Sequence, residues 1–302
     1  MVCVLAVPVL GGAIGGAALA QDGRFEYRSD NGVERSDPFI DQDTIEPEGA
    51  AALVTGFDTN NWLRWVQPVG EGRVWRFEQQ VRLRAYDDRD DLNSVLLSPR
   101  VQYWQPLGDN WQARASAAIS LLNRDGERHY TRVQIEGQLR YRPEQTADTV
   151  LSARYTNYDY GDQVVAGLDQ SQWRIGLARY AYSADRTQGG FIAADTTWSD
   201  ADADRFSFNQ LRFQAAAWRA LDANLTARFD LEFLDRDYDD RFSMSQPFAR
   251  SDKRWSATAR LERSMSEHVS VYGEAGYVDN DSNIASRAYS GGVFRIGFRI
   301  ES

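Results

Sequence analysis

Apolar and polar residues alternate along most of this chain, which is the pattern of β-strands with two unlike faces. From Trp75 to Ala85, the odd positions are mainly apolar and the even positions are Arg, Glu or Gln. The same alternation recurs at 111–121, 131–142, 225–233, 255–262 and 294–300. Such runs last about 10 to 13 residues, whereas strands of globular proteins average five or six. A tilted strand needs about 9 to 11 residues to cross a bilayer, so strand length favours a membrane-spanning barrel.

The pattern predicts an all-β fold, an antiparallel transmembrane β-barrel of fourteen strands that covers residues 50–302. The predicted strands lie near 51–58, 61–67, 73–86, 93–104, 111–123, 129–142, 149–159, 171–182, 190–198, 205–218, 224–235, 254–264, 269–279 and 289–300. The first two alternate least, and without them the barrel would have twelve strands. Either number is even, which leaves both ends of the barrel wall in the periplasm.

The connections between these runs are of two kinds. One set is tight (106–110, 143–147, 219–223 and 265–268), and the other is acidic and often longer (87–91, 161–170, 200–205, 235–252 and 279–287). Short periplasmic turns and longer outer loops are typical of outer-membrane barrels. Aromatic residues at the predicted strand ends indicate interfacial girdles. They are Trp104, Trp111, Tyr141, Trp173, Trp198, Trp218, Trp255 and Tyr277.

A soluble β-sandwich, propeller or solenoid is the alternative fold. Such a protein would bury the alternating apolar face in a core and would use shorter strands. A propeller would also repeat a motif every 40 or so residues, and the sequence shows only the rhythm of hairpins.

The first twenty residues carry no charge and end in Ala18-Leu19-Ala20, which precedes Gln21. Small residues at positions 18 and 20 fit a signal-peptidase site. We therefore predict a signal peptide over 1–20, cleaved between Ala20 and Gln21, with an uncleaved anchor helix as the alternative. Residues 21–49 are highly charged without periodicity, which predicts a flexible periplasmic extension. The only cysteine, Cys3, lies within the predicted signal peptide, so the processed chain would have no thiol chemistry.

Composition narrows the classes of function. The 302 residues have a formal net charge of −10, and their mean hydropathy of −0.55 excludes a bundle of membrane-spanning helices. The acidic balance argues against binding of nucleic acid. The two histidines, His129 and His268, are predicted at opposite ends of a wall about 25 Å tall, so they cannot share a proton relay. We accordingly predict no enzyme activity, no catalytic residues, no metal site and no cofactor.

The polar faces of the strands carry many charges, each of which would cost about 2–4 kcal/mol if it faced lipid near the midplane. We therefore predict that these side chains line the lumen. They are Arg76, Glu78, Arg82, Arg84, Arg114, Arg132, Glu136, Arg140, Arg228, Asp230, Glu232, Arg260, Glu262, Arg295 and Arg299. Arginine exceeds acid in this set, which predicts a mild preference for anions. Two interpretations stay open: a hydrated channel, or a filled interior in which Arg–Glu ladders brace neighbouring strands.

Part of the chain resembles a known family. The stretch from Tyr103 to Trp111, Tyr-Trp-Gln-Pro-Leu-Gly-Asp-Asn-Trp, is similar to the strand-turn-strand signature of Slam-type barrels, the surface lipoprotein assembly modifiers. Asn280–Ile284 and Gly292–Phe298 are similar to the end of such barrels. The resemblance covers roughly residues 60–302, and other export barrels share similar turns. The family usually carries tetratricopeptide repeats before its barrel, and the 21–49 stretch is shorter than one repeat of about 34 residues.

These observations predict a protein of the cell outer membrane of a Gram-negative bacterium, exported through the periplasm and in contact with lipid and lipopolysaccharide. Its predicted function is a passive pore or export conduit for small polar solutes. The resemblance implies instead a Slam-like helper that displays or translocates a surface lipoprotein or glycan. A structural or adhesive surface barrel with a closed lumen is the third possibility.

Overall fold

The computed structural model describes residues 23–36, 53–162 and 164–302, and these residues form one closed barrel. Each strand pairs antiparallel with its neighbours in sequence, and the first strand pairs with the last. The fourteen strands are β1 (Arg24–Ser36), β2 (Val54–Pro68), β3 (Val74–Tyr86), β4 (Ser94–Pro106), β5 (Trp111–Arg124), β6 (Glu127–Glu144), β7 (Ala147–Tyr160), β8 (Gln170–Tyr182), β9 (Gln188–Ala201), β10 (Phe208–Ala220), β11 (Leu225–Arg241), β12 (Ala249–Ser264), β13 (Val269–Ser282) and β14 (Tyr289–Glu301). The predicted fourteen-stranded antiparallel barrel is confirmed, and the twelve-stranded alternative is wrong.

Helices contribute little to the described part of the chain. The three that occur there are single 3-10 turns at Asp90–Leu92, Asp204–Phe206 and Ala285–Arg287. Among the described residues, no helix has the length and apolar character needed to cross a membrane.

The N-terminal part of the barrel differs from the prediction. β1 lies within the stretch 21–49 that was expected to be a flexible extension, and it closes the barrel by pairing with β2 and β14. The two strands expected at 51–58 and 61–67 are a single strand, β2. Both errors have one cause, because β1 and β2 carry Ser, Thr or Asn at the middle of one face, which breaks the apolar alternation. The predicted signal peptide with Ala20 and Gln21, and residues 37–49, lie outside the described residues.

The outer face of the barrel is apolar and exposed. Large side chains at alternate strand positions point outward, and Ile135, Leu177 and Ile192 are 58%, 55% and 66% exposed. A continuous apolar surface of this kind is typical of contact with lipid or with another protein. The alternation along each strand therefore arises from an apolar exterior and a polar interior, the reverse of a soluble barrel.

Pairs of aromatic side chains lie on this outer face near both ends of the barrel. The rings of Trp111 and Tyr141 lie 4.6 Å apart between centroids near one end, and those of Trp255 and Tyr277 lie 5.6 Å apart nearer the other. Two residues predicted for these girdles, Trp104 and Trp218, point into the barrel instead. Trp104 contacts Arg76, and Trp218 lines a cavity together with Arg228. Their even-numbered positions decide this, because the outward residues of β4 and β10 are odd-numbered.

The two ends of the barrel differ in their connections. One end, called here the turn end, holds Arg24, Glu301 and the tight turns 69–73, 107–110, 145–146, 183–187, 221–224 and 265–268. The opposite loop end holds the segments 87–93, 125–126, 161–169, 202–207, 242–248 and 283–288. Asp125 and Gly126 form a two-residue hairpin with positive φ at both positions, as a type I′ turn requires. In the turn 183–187, hydrogen bonds from Ser183 and Thr187 lower the pKa of Asp185.

Candidate functional site in the barrel lumen

The residues predicted to line the lumen lie at alternate positions of six strands, β3, β5, β6, β11, β12 and β14. The structure brings them together with many further inward-facing charges on the other strands. The main additions are Arg28, Asp30, Glu34, Asp58, Arg64, Arg100, Arg154, Arg174, Asp195, Arg212, Arg236, Arg254 and Glu274. Extending the alternation through β4, β7, β8, β9 and β10 would have identified those on these strands. Those on β1 and β2 were missed because these strands were not recognised at their full length.

Asp58 of β2 is the most enclosed of the inner carboxylates, with no exposed surface. Arg82 Nε lies 2.7 Å from Asp58 Oδ1, and Arg295 Nη2 lies 2.6 Å from Asp58 Oδ2. Arg84 contributes a more distant contact of 3.8 Å to Asp58 and one of 3.9 Å to Glu34. Three guanidinium groups therefore surround two carboxylates near the seam between β14, β1 and β2.

Three other carboxylates each join arginines from neighbouring strands. Glu136 on β6 contacts Arg114 of β5 and, at 2.6 Å, Arg154 of β7. Glu78 likewise contacts Arg64 at 2.6 Å, and Asp195 contacts Arg212 at 2.9 Å. These contacts link adjacent strands across the inner face, as the interpretation of Arg–Glu ladders expected. They occupy part of the interior and leave the excess of arginine uncompensated.

The uncompensated charge is clearest around Trp104. Its indole lies inside the barrel, and the guanidinium carbons of Arg76, Arg114 and Arg140 lie 5.6, 5.2 and 5.6 Å from the ring centroid. Within the described ranges, Arg76 and Arg140 form no ion pair with a carboxylate, and their Nε atoms are buried without a hydrogen-bond partner. We call Trp104 and these three residues the arginine cluster. All three guanidinium groups make cation–π contact with Trp104, and Arg114 alone also forms an ion pair, with Glu136.

Two cavities lie in the lumen toward the turn end. One cavity of about 780 Å³ is lined by the inward side chains of β1 to β5, including Arg64, Arg76 and Arg114. A second cavity of about 720 Å³ is lined by β10 to β14, and Arg28 and Arg299 lie on its wall. Both spaces are mixed in sign and contain several guanidinium groups. An anion entering from this end would therefore meet positive charge on both sides.

Apolar side chains narrow the opposite part of the lumen. Near the loop end, buried residues of six strands pack against residues of the connections 161–169 and 202–207. Leu168 and Phe206 of those connections are buried within this group, which we call the loop-end cluster. Its buried members are Leu122, Tyr130, Tyr158, Tyr160, Leu168, Ala201, Phe206, Phe208 and Tyr238. The lumen is therefore lined by polar side chains around cavities at the turn end and by packed apolar side chains at the loop end.

The two histidines occupy opposite ends of the barrel, as predicted. His129 lies near the loop end of β6, and His268 lies in the turn 265–268. They are accordingly separated by the length of the wall. Within the described residues, no group of three or more His, Cys, Asp or Glu side chains could hold a metal ion.

Comparison with solved structures places this architecture among outer-membrane barrels. The anion-selective porin from Comamonas acidovorans matches at 11% identity with a TM-score of 0.55, over 93% of this chain and 99% of that chain. The outer membrane channel DcaP of Acinetobacter baumannii matches at 10% identity with a TM-score of 0.54, over 93% of this chain and 97% of that chain. OmpT, an outer membrane protein of Vibrio cholerae, matches at 9% identity with a TM-score of 0.57, over 95% of this chain and all of that chain.

At these identities the likeness shows the fold alone. No protein-family model matches the chain. No curated protein sequence matches it either. The resemblance to Slam-type barrels therefore stays a prediction, while the closed barrel shared with porins and channels is shown.

Proposed function

We propose that this protein is an outer-membrane pore that favours small anions. The observation that carries this proposal is the arginine cluster, in which Arg76 and Arg114 line one turn-end cavity. Within the described residues, Arg76 and Arg140 form no ion pair with a carboxylate. Fixed guanidinium groups in a confined, partly desolvated passage raise the local concentration of anions and exclude cations. The exposed apolar exterior supports contact with membrane lipid and lipopolysaccharide as the surroundings of the barrel.

The loop-end cluster supports a limit on solute size. Its aromatic side chains and the connections that carry Leu168 and Phe206 fill part of the lumen, whereas the turn end holds cavities of about 780 and 720 Å³. A passage that is wide at one end and narrow at the other admits small solutes more readily than large ones. We therefore infer that the transported species are small inorganic or organic anions.

Conductance in planar bilayers tests this proposal. The processed chain is refolded, inserted at low density, and recorded under a tenfold KCl gradient. Single-channel steps with a reversal potential of the sign set by chloride are the expected result. A cation-selective reversal potential would contradict the anion preference. Sustained insertion without conductance would favour a closed structural or adhesive barrel.

A Slam-like helper is the second candidate function. It rests on the resemblance of Tyr103–Trp111, which forms the end of β4, the turn 107–110 and the start of β5. Such a helper would bind a surface lipoprotein or glycan during export. Crosslinking in intact cells followed by purification tests this role, and a specific surface lipoprotein bound at the turn end is the outcome that would favour it over the pore.

A further inference from the structure

Five neutral polar side chains interrupt the apolar exterior at the middle of β1, β2 and β3. They are Ser29, Asn31, Thr59, Asn61 and Gln79, and we call them the outer polar patch. Ser29 lies opposite Asn61 in the strand register, and Asn31 lies opposite Thr59. All five stand at odd-numbered positions, as do the outward-facing residues of these strands, such as Phe57 on β2. The patch therefore belongs to the outer face and not to the lumen.

Four members of the patch form a connected network of hydrogen bonds, and the fifth, Gln79, donates to the Gln80 carbonyl oxygen at 2.8 Å. Asn31 Nδ2 donates to Ser29 Oγ at 2.7 Å, and the Thr59 hydroxyl donates to Asn31 Oδ1. Asn61 Nδ2 donates to Thr59 Oγ1 at 3.2 Å, and the Tyr27 hydroxyl donates to Asn61 Oδ1 at 3.0 Å. Each asparagine amide has two N–H groups, so these bonds leave donor capacity on both Asn31 and Asn61.

The middle of the outer face is occupied differently on β4 to β14. The residues nearest the strand middle on the outer face of β4 to β14 are apolar or lack a polar side chain. They are Pro99, Ala117, Ile135, Ala153, Ile175, Ala194, Phe213, Phe233, Ala257, Ala275 and Ile296. Hydrocarbon cannot satisfy the remaining donors of the patch, and an unmatched polar group there is costly. A polar network confined to one sector therefore indicates a sector that is covered by protein.

We propose that the outer polar patch is the surface through which two or more copies of this chain associate in the membrane. This inference rests on the proposed location in a lipid bilayer. The patch has no formal charge, so it does not select a partner of opposite charge. Its amide and hydroxyl groups carry both donors and acceptors, which makes it complementary to itself. Interhelical contacts of membrane proteins use neutral polar groups of the same kind.

The geometry of insertion favours a second copy as the occupant. Copies of one chain insert with the same orientation, so a rotation axis along the membrane normal brings equal heights of the same face together. Exposed apolar side chains flank the patch above and below on the same strands, including Phe25, Phe57 and Phe77. Packing of these rings around the patch would exclude lipid from its hydrogen bonds.

Cysteine crosslinking in lipid vesicles tests the proposal directly. In a background in which Cys3 is replaced by Ser, Asn61→Cys is introduced within the patch. Ile175→Cys, near the middle of the outer face of β8, serves as the matched control. At a high ratio of lipid to protein, a short bis-maleimide is expected to join Asn61→Cys copies and not Ile175→Cys copies. Equal crosslinking at both positions, or none at position 61, would overturn the proposal.

Removal of the polar groups supplies an independent measurement. The double variant Asn31→Leu/Asn61→Leu is expected to raise the dissociation constant of the oligomer about tenfold or more, measured by single-molecule photobleaching in vesicles. The control double variant Ile175→Ala/Leu177→Ala should leave it unchanged. If both doubles behave alike while the protein still inserts and conducts, self-association through the patch is excluded and the pore proposal stands. Failure of the unmodified chain to enter vesicles would instead reject the membrane location.

Discussion

Arg295 on the last strand donates a hydrogen bond to Asp58 on the second strand, with 2.6 Å between Nη2 and Oδ2. Gly32 of β1, between these two strands, lies opposite Gly297 on one side and Asp58 on the other. A Cβ at position 32 would lie 2.6 Å from the Ile296 carbonyl oxygen. The missing side chain at Gly32 therefore allows β14 to approach β1 closely. The pair ties together the three strands at which the barrel closes.

Replacing Asp58 is expected to destabilise the barrel. Asp58→Asn removes the charge that Arg82 and Arg295 share, and breaking a buried ion pair by removing one partner costs about 3–5 kcal/mol. The loss should be read as a lower midpoint of urea unfolding in lipid vesicles, followed by tryptophan fluorescence. Asp230→Asn is the control, because Asp230 is partly exposed beside Arg228 and its loss should cost about 1 kcal/mol or less. Equal midpoints for the two variants would contradict the special role of Asp58.

The arginine cluster is expected to set ion selectivity. Arg76→Gln/Arg140→Gln removes two uncompensated charges from the turn-end lumen, so the permeability ratio of chloride to potassium should fall about twofold or more. The measurement is the reversal potential under a salt gradient. Arg179→Gln/Arg219→Gln removes the same number of charges from the outer face near the turn end and should change the ratio little. A larger effect of the control pair would show that surface charge, and not the cluster, selects anions.

Loosening the loop-end cluster is expected to raise conductance. Leu168→Ser/Phe206→Ser replaces two buried apolar side chains with small polar ones, which should release the connections that narrow the lumen. Single-channel conductance in symmetric KCl should rise by about half or more, by analogy with other apolar constrictions that control permeation. Leu221→Ser, in the exposed turn 221–224, is the control. Unchanged conductance in the cluster variant would place the narrowest point elsewhere.

A substitution on the outer face tests whether lipid surrounds the barrel. Ile135 is exposed at the middle of β6, so Ile135→Arg would cost little in water but about 2–4 kcal/mol at the midplane of a bilayer. Unfolding titrations of the refolded protein in vesicles measure this difference, with Leu221→Arg as a control away from the midplane. A negligible cost for Ile135→Arg would mean that lipid does not contact this face.

Twelve of the fourteen strands were predictable from the sequence, at 73–86 and beyond. Strand alternation depends on local contrast between the two faces, and residues such as Val133, Ile135 and Leu139 supply that contrast on β6. Inner charges such as Arg132 and Glu136 follow from the same alternation. The approximate bounds and the tight turns are likewise local properties of the chain.

The contrast between an apolar and a polar face is lost on β1 and β2, because their outer faces carry polar side chains near the strand middle. Ser29, Asn31, Thr59 and Asn61 place hydrogen-bonding groups where the other strands have hydrocarbon. A pattern search cannot distinguish this arrangement from a loop or an irregular extension. The hydrogen bond from Thr59 to Asn31 joins residues that are 28 positions apart, so it is visible only in the folded barrel.

Alternation along each strand, and hence an apolar exterior around a charged interior, was determined by the sequence itself, since neighbouring residues on a strand point to opposite faces. Tertiary structure decided which charges meet. Arg295 forms an ion pair with Asp58, and Arg76, Arg114 and Arg140 all make cation–π contact with Trp104. These contacts form because closure of the sheet brings distant strands together at specific registers. Register and closure are non-local properties of the whole wall, and residue order along one strand does not encode them.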